Sequence, residues 1–249
     1  MGSRSQDHSE APGSEGSPIG RRVFLGILGL GAAGVAAGTS AQAAVGRIVS
    51  PIVQAAGNGL GALLPGANRF RIYTVTSGYP VESDSAYRLE IGGLVRKPTT
   101  LTLADLKQMP PTRLVKDFQC VTGWRVPDVP WVGVRLSDLV ALAEPTSEAK
   151  AVEFHSFDGV YTESLTLDQA DRYDVIVAYE MLGTPLSTEH GGPVRLYVAP
   201  MYGYKSCKWL RSIELVAEPA PGFWEQEGYD INAWIGESNG ESNPPVDGR

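Results

Sequence analysis

The sequence predicts an α+β fold weighted towards strand, on three observations. First, Tyr87, Leu89 and Ile91 alternate with Arg88, Glu90 and Gly92. The same period recurs at Val152 and Phe154 against Glu153 and His155, and at Val194, Leu196 and Val198 against Arg195 and Tyr197. Successive strand side chains point to opposite faces, so each row marks a half-buried strand, with His155, Arg195 and Tyr197 opposite the apolar rows. Second, Val175 to Tyr179 is continuously apolar, as expected of a strand covered on both faces. Third, short helices interrupt the strands: Thr102 caps a turn that Pro110 stops, Ser137 caps a segment to Ala143, and Thr166 with Gln169 forms a capping box.

With 249 residues, 43% of them hydrophobic and 20% charged, the chain can bury one sizeable core, and one main domain is expected. A formal net charge of -7 without a basic stripe argues against a nucleic-acid partner. Cys120 and Cys207 are too few for a disulfide-dense scaffold, and His8, His155 and His190 offer no zinc spacing, so any metal must rest on few protein ligands. Residues 1–43 begin as a Ser-, Gly-, Glu- and Pro-rich stretch expected to be disordered. They continue as Arg21-Arg22, a weakly apolar run to Ala37, and Ala41-Gln42-Ala43. Paired arginines, a mild apolar stretch and an Ala-x-Ala site resemble a twin-arginine export signal. The alternative is a membrane tether, because about 20 apolar residues can span a bilayer. Residues 44–68 read as a linker, 69–235 as the folded domain, and 236–249, which lack periodicity, as a disordered tail.

Three segments concentrate unusual chemistry. One is Asp117-Phe118-Gln119-Cys120-Val121-Thr122-Gly123-Trp124-Arg125; the second is Glu189-His190-Gly191-Gly192-Pro193-Val194-Arg195; the third is Met201-Tyr202-Gly203-Tyr204-Lys205-Ser206-Cys207-Lys208-Trp209-Leu210. Taken alone, Cys120 reads as a small buried hydrophobe after a strand, and the lysines as charges on solvated turns. Together, glycines that let backbone amides approach a ligand, with Arg, Lys and Ser as charge-assisted donors, suit a phosphate.

The three segments, in this order, resemble the cofactor shell of the sulfite oxidase family, over roughly Phe70 to Tyr229. That resemblance implies a mainly β, sulfite-oxidase-type molybdopterin-binding fold and an oxidoreductase that transfers oxygen atoms at molybdenum. It implies that Cys120 is the single protein ligand to the metal, which soft thiolate chemistry favours. It further implies that His190 and Arg195 bind the pterin and its phosphate, with Ser206, Cys207 and Lys208 closing round the same group. Lys205 stands where the animal and plant enzymes carry an arginine. Phe70, Tyr73 and Thr74 correspond to the segment lying against the cofactor, and Ser156 to a hydroxyl position in its shell. Arg125, five residues after Cys120, and Tyr229 match pocket residues of the eukaryotic enzymes.

The substrate implied is a small oxyanion such as sulfite, or alternatively a sulfoxide such as oxidised methionine in proteins. No haem domain precedes the catalytic fold and no dimerising domain follows Tyr229, so a haem-free monomer is expected, passing electrons to a separate cytochrome or quinone-linked partner outside the cytoplasm. A different class is a secreted binding module in which Cys120 and Cys207 form a disulfide. Closing the loop of residues 120–207 would stabilise it by about 4 kcal/mol in the chain-entropy model.

Overall fold

The structure is a computed structural model and describes residues 70–238. Along it run β1 (Arg88–Gly93), β2 (Thr99–Thr102), α1 (Leu103–Gln108), β3 (Thr112–Gln119), β4 (Arg125–Arg135), α2 (Leu136–Leu142), β5 (Ala151–Ser156) and β6 (Thr162–Thr166). Then come α3 (Leu167–Ala170), β7 (Val175–Met181), β8 (Thr184–Pro185), β9 (Arg195–Val198), a 3-10 turn (Gly203–Lys205), β10 (Leu210–Val216) and α4 (Phe223–Gln226). The expected fold, mainly strand with short helices, is the one observed.

One sheet has the order β2-β1-β10-β5-β6, with β1 and β10 parallel and the other pairs antiparallel. Register turns the alternation seen in the sequence into a row across this sheet, because Ile91 lies opposite Ile213, and Ile213 opposite Phe154. All three are essentially solvent-free, and burying each such side chain is worth about 1.5 to 3 kcal/mol.

The second sheet runs β3-β4-β7-β8, with β9 also paired to β7. Here the continuous apolar run finds its cause. Val175, Val177 and Tyr179 of β7, with Leu196 and Val198 of β9, face the core shared with the first sheet. Ile176, Ala178 and Tyr197 face a second core of Phe118, Trp124, Val129 and Trp131. The second core is aromatic, with Trp131 stacked on Tyr197 at 4.1 Å between ring centroids, and it ends at the functional cleft.

The capping boxes at Thr102 and Thr166 form as expected, each side chain accepting from the third backbone N–H of its helix; such a cap contributes about 1 kcal/mol. Ser137 does not cap. α2 starts two residues earlier than a Ser137 cap implies, at fully buried Leu136, directly out of β4, and its N-cap Arg135 makes no side-chain cap bond. The C-terminal boundary also shifts. Gly236 N donates to the Tyr202 hydroxyl at 3.3 Å, Trp234 N donates to Ser238 Oγ at 3.0 Å, and Ser238 is buried, so the packed chain passes residue 235. The export signal, the 44–68 linker and the rest of the tail lie outside the described residues. Among the described residues no helix is long and apolar enough to cross a membrane.

The expected alternative of a Cys120–Cys207 disulfide is corrected by the same layering. Cys207 is buried in the first core and Cys120 packs at the margin of the second, and both are free thiols.

Candidate active site

A cleft opens where the second core meets the first sheet. Its walls come from the lead-in segment 70–75, the turn after β3, the β5–β6 turn, the loop before β9, the 3-10 turn and the segment through α4 to Tyr229. Cys120 sits at the end of β3 in a closed turn in which its N–H donates to Trp124 O at 2.9 Å and Gly123 N donates to Cys120 O at 3.0 Å. Thr122 Oγ1 donates to the Cys120 sulfur at 3.2 Å. Burial pushes the Cys120 thiol up, opposed by the Thr122 hydrogen bonds and the charge of Arg71. Without a metal the sulfur therefore keeps its proton, and a coordinated metal would displace it.

The opposite wall carries two cations, Arg195 buried and Lys208 half-buried. Arg195 donates to His190 O at 2.8 Å, Ser206 O at 2.9 Å and Leu196 O at 3.3 Å, with its guanidinium over the rings of Phe118 and Trp131. Burial lowers its pKa to about 10, so it stays charged. Lys208 donates to Tyr73 O at 2.6 Å and Glu189 O at 3.2 Å, and lies 4.1 Å over the Trp209 ring. Burial first, then Arg195, pulls Lys208 down to about 7. The same two causes, with Lys208, lower His190 to about 4, leaving a neutral imidazole at neutral pH. Gly191 makes this wall possible: at φ +97 it brings the His190 loop against Lys208, whose Cβ would lie 2.7 Å from any Cβ placed there. An arriving anion would find two desolvated positive charges bonded to carbonyl oxygens.

Of the residues expected from sequence, Cys120, Phe70, Tyr73, Thr74, His190, Arg195, Ser206, Lys208 and Tyr229 line this one cleft. Ser206 also spends its hydroxyl on Val198 N, from which it accepts at 3.0 Å. Four expected residues do not line it. Arg125 begins β4 between buried Trp124 and Val126, so alternation turns it outwards, where its Nε lies 3.4 Å from Asp117. Lys205 is fully buried behind the wall, 2.6 Å from both Glu163 and Glu225. Cys207 is in the first core, its backbone oxygen accepting from Leu196 N at 2.8 Å. Ser156 accepts from Asp158 N at 3.1 Å and shapes the β5–β6 turn.

That turn brings in Asp158 and Tyr161, which sequence reasoning missed, as it missed Arg71, Glu189, Tyr204 and Trp224. Arg71 lies beside two expected lining residues and is the lining cation with no hydrogen bond or ion pair to the described residues. Tyr229 meets Trp224 edge-on at 5.8 Å and Tyr204 at 5.5 Å. Burial, then the nearby Cys120, raises its phenol pKa, so it remains a hydrogen-bond donor.

Residues 76–224 match the model of the oxidoreductase molybdopterin binding domain. The uncharacterized oxidoreductase YuiH of Bacillus subtilis is 38% identical over 166 residues, 63% of this chain and 83% of that protein. Sulfite oxidase of Arabidopsis thaliana is 32% identical over 185 residues, 61% of this chain and 47% of its own length. The protein-methionine-sulfoxide reductase catalytic subunit MsrP of Campylobacter jejuni is 34% identical over 155 residues, 56% of this chain and 52% of its own. The chain thus spans about half the length of the latter two. Among solved structures, the sulfane dehydrogenase SoxCD from Paracoccus pantotrophus aligns with a TM-score of 0.53 and 28% identity, over 58% of this chain and 41% of that one.

Proposed function

The chain belongs to the oxidoreductase molybdopterin-binding domain family, that of sulfite oxidase, and is a molybdopterin-dependent oxidoreductase; from that premise we propose that it transfers oxygen atoms to or from a small sulfur compound at a molybdenum held by Cys120. One observation carries this reading: a half-buried free thiol and two cations bonded to carbonyls, Arg195 buried and Lys208 half-buried, converge in a single cleft. The donor set fits the cofactor, because a soft thiolate suits molybdenum while Arg195, Lys208, Ser206 and neutral His190 suit a phosphate. When bound, the cofactor supplies the redox metal centre for oxygen-atom transfer. Thr122 holds the sulfur in orientation, and Tyr229 offers a proton-bearing hydroxyl towards the substrate side. Phe70, packed on His190 at 4.9 Å, and Tyr73, whose carbonyl accepts from Lys208, close the lead-in segment over the cleft.

For the substrate, Arg71, which lines the cleft without an ion pair to the described residues, favours a sulfite-like oxyanion, because a charged substrate entering a partly dry site needs a compensating cation. A neutral sulfoxide is the second reading, favoured by the aromatic wall of Tyr161, Tyr204, Trp224 and Tyr229 and by similarity to MsrP. The chain exchanges electrons with a separate cytochrome or quinone-linked partner.

Cys120→Ser should abolish turnover of sulfite and of dimethyl sulfoxide and remove the thiolate contribution from the molybdenum X-ray absorption spectrum. An active Cys120→Ser enzyme overturns the assignment. Export rests on Arg21-Arg22 and the apolar run behind it. Changing both arginines to Lys should leave folded, cofactor-loaded protein in the cytoplasm, and normal export of that variant would refute the twin-arginine route.

A further inference from the structure

Lys205, Glu163 and Glu225 form an ion triad sealed from solvent, with side chains 0%, 0% and 2% exposed, in which the Lys205 ammonium lies 2.6 Å from each carboxylate. The three residues come from the 3-10 turn, β6 and α4. One carboxylate would neutralise the ammonium, and a second buried carboxylate adds a desolvation cost that stability alone does not require. Each member sits next to an aromatic of the cleft wall: Lys205 follows Tyr204, Glu225 follows Trp224, and Glu163 comes two residues after Tyr161.

α4 is too short to hold its own place. It has four residues, no strand partner, and an N-cap, Gly222, without a side-chain bond; a helix this short does not persist on its own. It is nevertheless pressed onto β6, where a Cβ at Gly222 would fall 2.7 Å from Thr162 O and 2.8 Å from Glu225 Oε2. The wall above is equally interlocked. Phe223 stacks on Tyr161 at 5.8 Å, the Tyr161 hydroxyl donates to Tyr204 O at 2.6 Å, and the Tyr204 hydroxyl donates to Asp230 O at 2.6 Å.

We propose that Lys205, Glu163 and Glu225 are positioning residues, a polar pin that sets Trp224, Tyr229, Tyr204 and Tyr161 against the Cys120 side of the cleft and so fixes where substrate lies. The second carboxylate is there to tie α4 to the 3-10 turn. The kinetic consequence rests on the proposed oxygen-atom transfer; the placement of Trp224 does not.

The test variant is Glu225→Gln, which leaves one ammonium with one carboxylate and should fold. Its molybdenum content and melting temperature should stay near wild type. Acrylamide quenching of Trp224 fluorescence, obtained by subtracting the Trp224→Phe signal in each background, should rise in protein with and without cofactor. KM for sulfite, or for dimethyl sulfoxide if that is the turned-over probe, should rise about tenfold with a smaller change in kcat, since misplacement by about 1 Å can cost up to a hundredfold. Unchanged KM and unchanged quenching in a stable, loaded variant overturn the proposal, as does a fall in cofactor content with KM unaltered. Should Glu225→Gln fail to fold, Glu225→Asp keeps the charge but shortens its reach, and the same two outcomes decide. If wild type turns over neither probe, the functional reading fails while the quenching comparison still decides the pin.

Discussion

Lys205 and Lys208 are three residues apart, the first fully buried and the second half-buried, and in opposite electrostatic circumstances. Lys205 has two carboxylates at 2.6 Å. Lys208 has two carbonyl oxygens and an indole face, and burial pulls its pKa down to about 7. A carbonyl offers a partial charge, so it satisfies the geometry of an ammonium without repaying its desolvation. The first lysine is complete in the bare protein. The second is held in place and left short of negative charge, which is how a cation looks before its anion arrives. Lying in the same short segment, they separate the part of the fold that shapes the cleft from the part that waits for a ligand.

The largest expected effect therefore belongs to Lys205. Lys205→Ala strands two buried carboxylates and should destabilise the cofactor-free protein by about 3 to 5 kcal/mol, read from urea denaturation. Lys208→Met strands no charge, only the carbonyls of Tyr73 and Glu189, and at pH 7 should change that stability by no more than about 1 kcal/mol, while sharply lowering the fraction of protein purified with cofactor. Equal destabilisation by the two substitutions would break the comparison.

A second difference lies in pH dependence. Lys208 has an ordinary value of 10.5 and a folded value of about 7. Between those limits the unfolded chain binds more protons than the fold, so the stability linked to Lys208 is lowest below about pH 7 and rises with pH across the window. The slope is at most about 1.4 kcal/mol per pH unit. Cofactor-free wild type minus Lys208→Met should show this rise, and inorganic phosphate, by raising the lysine's pKa, should move it to higher pH. A flat difference would mean that Lys208 is not desolvated as described. His190 acts on the acid side: its folded value of about 4 lies below the ordinary 6.5, so its contribution is lost as pH falls from 6.5 towards 4.

How much of this was legible in the sequence follows from the range of the interactions. Thr102 with Asp105, and Thr166 with Gln169, are contacts three residues apart, and periodicity reports the burial of Ile91 and Phe154 directly. The cysteine, His-Gly and Lys-Ser-Cys-Lys segments stand out because chemistry is concentrated in each. The role of Lys205 was not legible, because its partners Glu163 and Glu225 are remote in sequence and only the packing of β6 and α4 brings them in. The outward position of Arg125 was legible as well. Trp124 and Val126, apolar on either side of it, already place its side chain on the outer face of β4.

The smallest expected effect is at Arg125, and it sharpens the choice of substrate. Arg71 lines the cleft and acts on Cys120, whereas Arg125, with a side chain 42% exposed, lies 3.4 Å from Asp117 on the outside. If an oxyanion is the substrate, Arg71→Met removes a charge-assisted contact worth about 1.5 to 3 kcal/mol and should lower kcat/KM for sulfite by roughly tenfold to a hundredfold, sparing dimethyl sulfoxide. Arg125→Met removes a half-exposed ion pair worth about 0.2 to 1 kcal/mol, and should leave kcat/KM for both substrates within about twofold. Asp117 would still accept from Asp128 N at 2.9 Å, so the β3–β4 turn should hold. Steady-state kinetics at matched molybdenum content decides between the arginines. A large sulfite-specific loss in Arg125→Met would mean that β4 presents this residue inwards in the working enzyme. Equal small effects in both variants would remove the charge argument for an anion and leave the aromatic wall, and with it the neutral sulfoxide, as the feature that selects substrate.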